Sequence, residues 1–219
     1  FRNFRKDGII AIRLDEGNEL IDVRLTTGSN EVVLVTRRGL SLRFQEEQAR
    51  PMGRAAAGVA GIKPVGDDVL VGLVLVSDES TLLVASENGI GKRTSFGDYR
   101  AQTRGGKGII TMKVTEKTGE VVGAVAVEES DELMLMTTSG QSIRIRAAEV
   151  RETGRNAQGV KLVTLRGTEK LLDIAKVLSG DEDDKEESGE DGDEEAVDAG
   201  AGDGDGAESP PEAPETDPS

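Results

Sequence analysis

The residues of this chain that could do chemistry are cations, and they recur in register. Arg43, Arg93 and Arg144 stand 50 and 51 residues apart (93−43, 144−93). Arg50, Arg100 and Arg151 keep the same step, as do Arg54, Arg104 and Arg155. A fourth set, Arg13, Lys63 and Lys113, repeats every 50 residues (63−13, 113−63). Apolar positions that recur in a repeat need only a shared core. Cations that recur lay a row of positive charge along one surface, and such a row suits a polyanion. Arg43, Arg93 and Arg144 fall in stretches that alternate apolar with polar or basic residues. They are read as solvent-facing, so that reversing them to Glu is expected to leave folding intact.

Nucleophiles and metal ligands are scarce by comparison. There is no Cys and no His, which excludes Cys–His and Ser–His pairs, His-ligated metals and disulfides. The absence of Cys fits a reducing compartment. Tyr99 has no companion base near it in sequence and reads as a packing or hydrogen-bonding residue. The expectation is a chain without catalytic residues, metal or cofactor of its own.

The densest motif is Gln102-Thr103-Arg104-Gly105-Gly106-Lys107-Gly108. Its glycines allow close backbone approach and leave N–H groups open, and Arg104 and Lys107 add charge, a combination that suits phosphate. The same residues are compatible with a loop between repeats whose cations are merely solvated. A nucleotide P-loop is not supported, because the Gly-Lys-Ser/Thr ending is missing. Related loops, 52–58 and 153–159, keep the Arg (Arg54, Arg155) and the final Gly (Gly58, Gly159). The structural alternative is that each Arg pairs with an acid of a neighbouring repeat, but no acidic position tracks the arginines through all three. The chain has four Phe, one Tyr and no Trp. Base stacking on aromatics, the usual single-strand mode, is therefore disfavoured, whereas a duplex held by its phosphates needs none.

These cations must be positioned by short strands. Gly8-Ile9, Gly58-Val59, Gly108-Ile109 and Gly159-Val160 mark the starts of repeats, and Gly39, Gly89 and Gly140 mark turns. In the repeat opening at Gly58, apolar runs cover 59–62, 69–76, 81–85 and 90–94. Asn88-Gly89 between two such runs is a hairpin signal, because both central positions need positive φ. No sustained 3.6-residue period appears. The reading is all-β with four strands per repeat of about 50 residues, the pattern of propeller blades that bury their faces against one another. About four blades or part-blades are expected over 1–180, with further blades before Phe1. The run 69–76 is too short to cross a bilayer, no leader opens the chain, and 1–7 reads like the end of a repeat.

Residues 181–219 are different. They hold 18 of the 42 acidic residues and one Lys, leaving 24 acidic and 26 basic residues in 1–180. The formal charge of −15 thus belongs to the tail, and the repeats carry a net +2 (26−24). With Val197 as its one large apolar side chain, the tail cannot bury enough surface to offset the entropy of ordering, and is expected to be disordered.

The stretch Arg104-Gly105-Gly106-Lys107-Gly108, with Gln102 before it, resembles the gyrase box Gln-Arg-Arg-Gly-Gly-Lys-Gly of the DNA gyrase A-chain family. Neighbouring text agrees: Gly8-Ile9-Ile10-Ala11, Asn88-Gly89-Ile90-Gly91-Lys92-Arg93-Thr94, and Gly154-Arg155-Asn156-Ala157-Gln158-Gly159-Val160. The resemblance extends over 1–180 and implies the C-terminal DNA-wrapping domain of a type IIA topoisomerase, a propeller-like β-pinwheel. It further implies non-sequence-specific chiral wrapping of double-stranded DNA in support of ATP-dependent negative supercoiling. The implied partners are the gyrase B subunit, which carries ATP and Mg, and the N-terminal part of the A subunit, in an A2B2 heterotetramer. The implied location is the bacterial cytoplasm beside the nucleoid. Thr103 stands where the box has its first Arg; the resemblance implies that 102–108 is a later-blade copy, with the true box expected upstream. Two alternatives remain at this point: the corresponding subunit of topoisomerase IV, and a propeller that scaffolds protein partners. Kelch-type scaffolds rely on Tyr and Trp, and this chain has one Tyr and no Trp.

An acidic tail tethered beside a cationic surface competes with DNA at high effective concentration. Truncation after Leu178 is therefore expected to tighten duplex binding at low salt. The gap should close as salt shortens the Debye length to about 8 Å and below. Titrations of the full and truncated chains against a duplex at several salt concentrations check this, and an unchanged affinity throughout makes the tail a solvated appendage.

Overall fold

The computed structural model describes residues 8–177; the expectations for 1–7 and for the acidic tail lie outside them. The chain is built from short strands. They are β1 (Glu31–Thr36), β2 (Leu40–Gln45), β3 (Leu70–Leu75), β4 (Thr81–Ser86), β5 (Ile90–Ser95), β6 (Ile109–Ile110), β7 (Val121–Val127), β8 (Glu132–Thr137), β9 (Ser142–Arg146), β10 (Val160–Lys161) and β11 (Leu171–Lys176). The other regular elements among the described residues are single 3-10 turns at Glu46–Gln48, Phe96–Asp98 and Ala147–Glu149, one after each of β2, β5 and β9. Gly39, Gly89 and Gly140 turn the hairpins β1–β2, β4–β5 and β8–β9 at φ of 78°, 73° and 82°. A side chain resists that region, which is why glycine recurs there.

The strands form three antiparallel sheets, ordered β3-β1-β2-β6, β10-β5-β4-β7 and β11-β8-β9. The all-β fold with four-stranded sheets is the expected one. Their membership is not a simple reading of the repeat. The stretch opening at Gly58 distributes its runs over different sheets. Residues 59–62 form no strand, and Ile62 makes an isolated parallel bridge to Gly106. β3 joins the preceding hairpin, and β4 and β5 build the next one. The fourth strand of the first sheet arrives only at the following start glycine, where Ile109 and Ile110 pair with Ser41 and Leu40. In the same way Val160 and Lys161 pair with Gly91 and Ile90.

The sheets pack face to face, and successive residues of a strand serve opposite neighbours. Leu82 and Val84 of β4 pack with Val33, Val35 and Val74 of the first sheet. Leu83 and Ala85 pack with Leu133 and Leu135 of the third. A strand buried on both faces reads as a continuous apolar run, which explains the sequence of 81–85. Each fully buried Leu or Val here contributes about 1.5–3 kcal/mol.

The junctions constrain the glycines tightly. A Cβ at Gly108 (φ 77°) would lie 2.5 Å from the Ser41 carbonyl oxygen, and one at Gly159 (φ 93°) 2.5 Å from that of Gly91. At the turns, a Cβ on Gly39 would fall on the Met112 carbonyl oxygen, and one on Gly89 would come within 2.8 Å of that of Val163. Gly140 has nothing within 4 Å, because no strand lies beside β9 on its outer edge among the described residues.

This difference is measurable. Gly140→Ala should cost only the left-handed backbone penalty, about 1–2 kcal/mol. Gly39→Ala meets the same penalty and must also displace a backbone carbonyl, adding about 1–3 kcal/mol. Urea midpoints of the two variants check the ordering.

Candidate nucleic-acid interface

The register cations divide into three classes by what packs on them. The first lies on the strands. Arg43, on β2, is half-buried: Nε and Nη2 donate to the Glu31 carboxylate, the Nε contact at 3.0 Å. Its Nη1 donates to the carbonyls of Phe96 at 2.6 Å and Tyr99 at 3.3 Å, both in the next repeat. Arg93, on β5, has a side chain only 5% exposed. Its Nε donates to the Val150 carbonyl at 2.6 Å, and Nη2 lies 3.6 Å from the exposed Glu129 carboxylate. Arg144, on β9, is 44% exposed and pairs with Glu132. The expectation of a solvent-facing track at these positions is therefore corrected for Arg43 and Arg93. Burial along β2 and β5 does not alternate, because the outward face of each strand meets the 3-10 turn of the next repeat, and the arginine bonds carbonyls at or just after that turn. Glu31 and Glu132 each precede their arginine by 12 residues (43−31, 144−132), while Thr81 holds that place before Arg93 (93−81). An acid thus tracks two of the three arginines.

The second class lies in the loops. Arg104 donates from Nε to the Gln48 carbonyl at 2.7 Å and from Nη1 to the Ala60 carbonyl at 3.0 Å. Arg155 repeats this geometry on Asp98 (3.2 Å) and Ile110 (2.7 Å). Arg54, more exposed, reaches the Ile10 carbonyl at 3.3 Å. Positions 10, 60 and 110 are thus held by the same atom of successive loop arginines. Gln48 and Asp98 also accept from the main-chain N–H of Arg104 and Arg155, at 2.9 and 3.3 Å. Sequence reasoning misses both acceptors; the one signal for them is the 50-residue step from 48 to 98 (98−48).

The glycine motif sits on the first sheet. The segment after Arg100 runs beside β2, with Ala101 bridging Arg43 and the Gln102 N–H donating to the Arg43 carbonyl at 2.8 Å. The Gly105 N–H (φ 77°) donates to the Gly61 carbonyl, and the Gly106 carbonyl accepts from Lys63 N–H at 2.8 Å. A Cβ at Gly106 would lie 3.2 Å from Leu42 Cδ1. The expectation that these glycines leave N–H groups open for phosphate is corrected at Gly105, whose N–H is used within the fold. The glycines let the loop settle on the sheet. Thr103 is exposed and Gln102 half-buried.

The third class is exposed. Arg50, Arg100, Arg151, Lys63, Lys107 and Lys113 are all exposed. None makes a side-chain hydrogen bond or ion pair to another described residue. Arg13 lies 3.7 Å from Asp15, both exposed. Lys63 and Lys107 flank the same backbone contact, Lys63 N–H to Gly106 carbonyl. Each exposed arginine stands just after a 3-10 turn, where the chain crosses to the preceding sheet. Tyr99 is buried with its hydroxyl 2.7 Å from that of Thr111, the packing role expected. Burial, opposed by that hydrogen bond, raises its pKa and keeps the phenol neutral. Among the described residues, no helix is long and apolar enough to cross a membrane.

Comparison with known proteins bears on this surface. The family described as DNA gyrase C-terminal domain, beta-propeller, matches residues 1–27, 30–77, 80–128 and 131–177. The DNA gyrase A subunit of Klebsiella oxytoca is 42% identical over 205 residues, 94% of this chain and 22% of that protein. That of Clostridium acetobutylicum is 48% identical over 190 residues, 87% of this chain and 23% of that protein. The chain thus spans about a fifth to a quarter of the length of the curated relatives it matches. Among solved structures, a DNA gyrase A C-terminal domain superposes with a TM-score of 0.73 at 29% identity, covering 79% of this chain and 59% of that one. The C-terminal domain of a DNA topoisomerase IV superposes with a TM-score of 0.72 at 27% identity, covering 76% and 52%.

The division into classes predicts opposite responses to mutation. Arg93→Met should destabilise the fold by about 1–3 kcal/mol, the cost of leaving a buried acceptor unsatisfied. Arg100→Met should stay within about 0.5 kcal/mol of wild type. Denaturant melts of the two variants distinguish them, and equal stabilities would place Arg93 among the exposed cations.

Proposed function

The chain belongs to the DNA gyrase C-terminal domain, beta-propeller, family, and from that premise we propose that it binds duplex DNA without reading its sequence and wraps it along the exposed cations. The observation that carries this reading is the third class. Arg50, Arg100 and Arg151, with Lys63, Lys107 and Lys113, are exposed and have no internal partner among the described residues, and all but Lys107 recur at matching places in successive repeats. Cations placed this way neutralise phosphates and release counterions, which gives affinity that depends on salt and not on base identity. Their spacing along successive repeats sets the path of the bent duplex, and the bending energy is offset by the added contacts. Arg43 and Arg93 take no part in the track and hold it rigid from beneath. Arg104 and Arg155 serve both purposes, bonding main-chain carbonyls while remaining part-exposed.

In a whole gyrase, such a wrap presents a DNA segment for passage with one hand. ATP-dependent negative supercoiling then requires the gyrase B subunit with its ATP and Mg, together with the N-terminal part of the A subunit, assembled as A2B2 in the bacterial cytoplasm. The topoisomerase IV reading is less favoured. The two solved domains superpose equally well, but the curated relatives at 42–48% identity are gyrase A subunits. A scaffold anchored on exposed aromatics is less favoured, since the aromatic side chains among the described residues, Phe44, Phe96 and Tyr99, are all buried.

Changing Arg50, Arg100 and Arg151 together to Gln should lower the slope of log affinity against log salt. The drop should be about 0.9 for each phosphate that these side chains no longer reach, up to about 2.7. Thermal stability should stay near wild type. Duplex titrations across salt concentrations measure the slope, and an unchanged slope would remove these arginines from the path.

A further inference from the structure

One charged side chain is buried away from this surface. Lys92 lies on β5 opposite Val84 of β4 and is fully buried. The register puts Leu42, opposite Leu34, and Ile143, opposite Leu135, at the same position of the other hairpins. A lysine therefore stands where a branched aliphatic residue serves in both other repeats. Its ammonium donates to the carbonyls of Gly154 at 3.3 Å, Ala157 at 3.0 Å and Arg155, so all three donors end on one loop. Taking an ammonium out of water is costly, and the packing does not demand it at a position that Leu and Ile fill elsewhere.

The loop it meets is the counterpart of 102–108. In that earlier loop Gly105-Gly106 lets the backbone settle on Leu42, and the Gly106 carbonyl accepts from Lys63 N–H. In the later loop Asn156 and Ala157 stand in place of the two glycines, and the Ala157 carbonyl accepts from Lys92. The chain thus uses two pairings to seat the same loop, Gly-Gly over Leu and Asn-Ala over Lys.

We propose that Lys92 is a positioning residue for the loop 153–159. By drawing the carbonyls of Gly154, Arg155 and Ala157 inward, it fixes Arg155 against Asp98 and Ile110 and so sets the loop's cationic face. The consequence for DNA rests on the wrapping function proposed above; the ordering of the loop does not. Two charged groups bear on the ammonium: Arg155 from the loop, and Asp98 from the end of the 3-10 turn. Opposite it, β4 presents Val84, and β10 pairs at Gly91. Desolvation first, and Arg155 second, push the Lys92 pKa down to about 8, with Asp98 opposing. The unfolded state binds more protons between pH 8 and the ordinary lysine value, so global stability rises with pH across that window.

The test uses the full chain and two readouts. Amide hydrogen exchange without DNA reports loop order. Titration with a linear duplex reports affinity. Lys92→Met is expected to fold, since aliphatic residues occupy the same position in the other repeats. It should speed exchange at 155–158 and weaken duplex binding about tenfold, the equivalent of one charge-assisted contact. The triple variant K92L/N156G/A157G, which installs the other pairing, should restore both. If Lys92→Met fails to fold, Lys92→Leu, which places the residue found at Leu42 in the earlier hairpin, is read in the same two assays. The proposal is overturned if exchange at 155–158 is the same in Lys92→Met and wild type, or if the triple variant rescues neither readout. A wild type that does not bind duplex at low salt overturns the wrapping function and leaves the exchange result standing.

Discussion

Each four-stranded sheet takes an edge strand from farther along the chain, and the rest of the structure depends on that exchange. Ile109 and Ile110 complete the sheet begun at Glu31, and Val160 and Lys161 complete the one begun at Thr81. These late strands are only two residues long. Their pairing is held in place by what surrounds them, namely the left-handed glycine before each and the loop arginine anchored on the neighbouring repeat. A repeat excised at its start glycines would contain no complete sheet. Stability then resides in contacts between neighbours more than within units, as in other repeat proteins, but with covalent crossings that tie each sheet to the next.

The same arginine fork serves very different ends according to what lies above it. On β5 the next repeat closes over Arg93, and the guanidinium becomes a donor to a main-chain carbonyl. After the 3-10 turn no described residue closes over Arg100, and its side chain is exposed. The near-balance of charge within 1–180 conceals this arrangement. A net of +2 says little about a surface on which several of the arginines already have acidic partners and others have none among the described residues.

How far the sequence can be read follows from the range of the interactions involved. The hairpins are legible, because a turn glycine between apolar runs is a local signal and the register repeats it three times. The strand-to-sheet assignment is not, since nothing local to 70–75 says that it pairs with β1 of the preceding hairpin and not with the β4 that follows it. Arg43 and Arg93 are misjudged for the same reason: alternation tells which face of a strand a residue occupies, and not whether another sheet covers that face. Gln48 and Asp98 pass unnoticed because the acceptor is partly main chain, which carries no residue-type signal. Lys92 is hidden inside Gly91-Lys92-Arg93-Thr94, where it reads as one more surface cation.

Residue choice within the register fits the clamp geometry without by itself separating clamps from contacts, since the exposed positions 50, 100 and 151 are arginine throughout as well. The clamp positions 43, 93 and 144, and 54, 104 and 155, are arginine throughout. Each of Arg104 and Arg155 places two guanidinium nitrogens on two separate carbonyls, a fixed fork that an ammonium cannot reproduce. The exposed fourth set is mixed, Arg13 then Lys63 and Lys113. A phosphate met as a point charge accepts either side chain, so identity there is free to vary while charge persists. Clamping the loops during folding also means that they are ordered before any ligand arrives. The duplex binding proposed above would then devote less of its electrostatic gain to arranging the protein and more to bending the DNA.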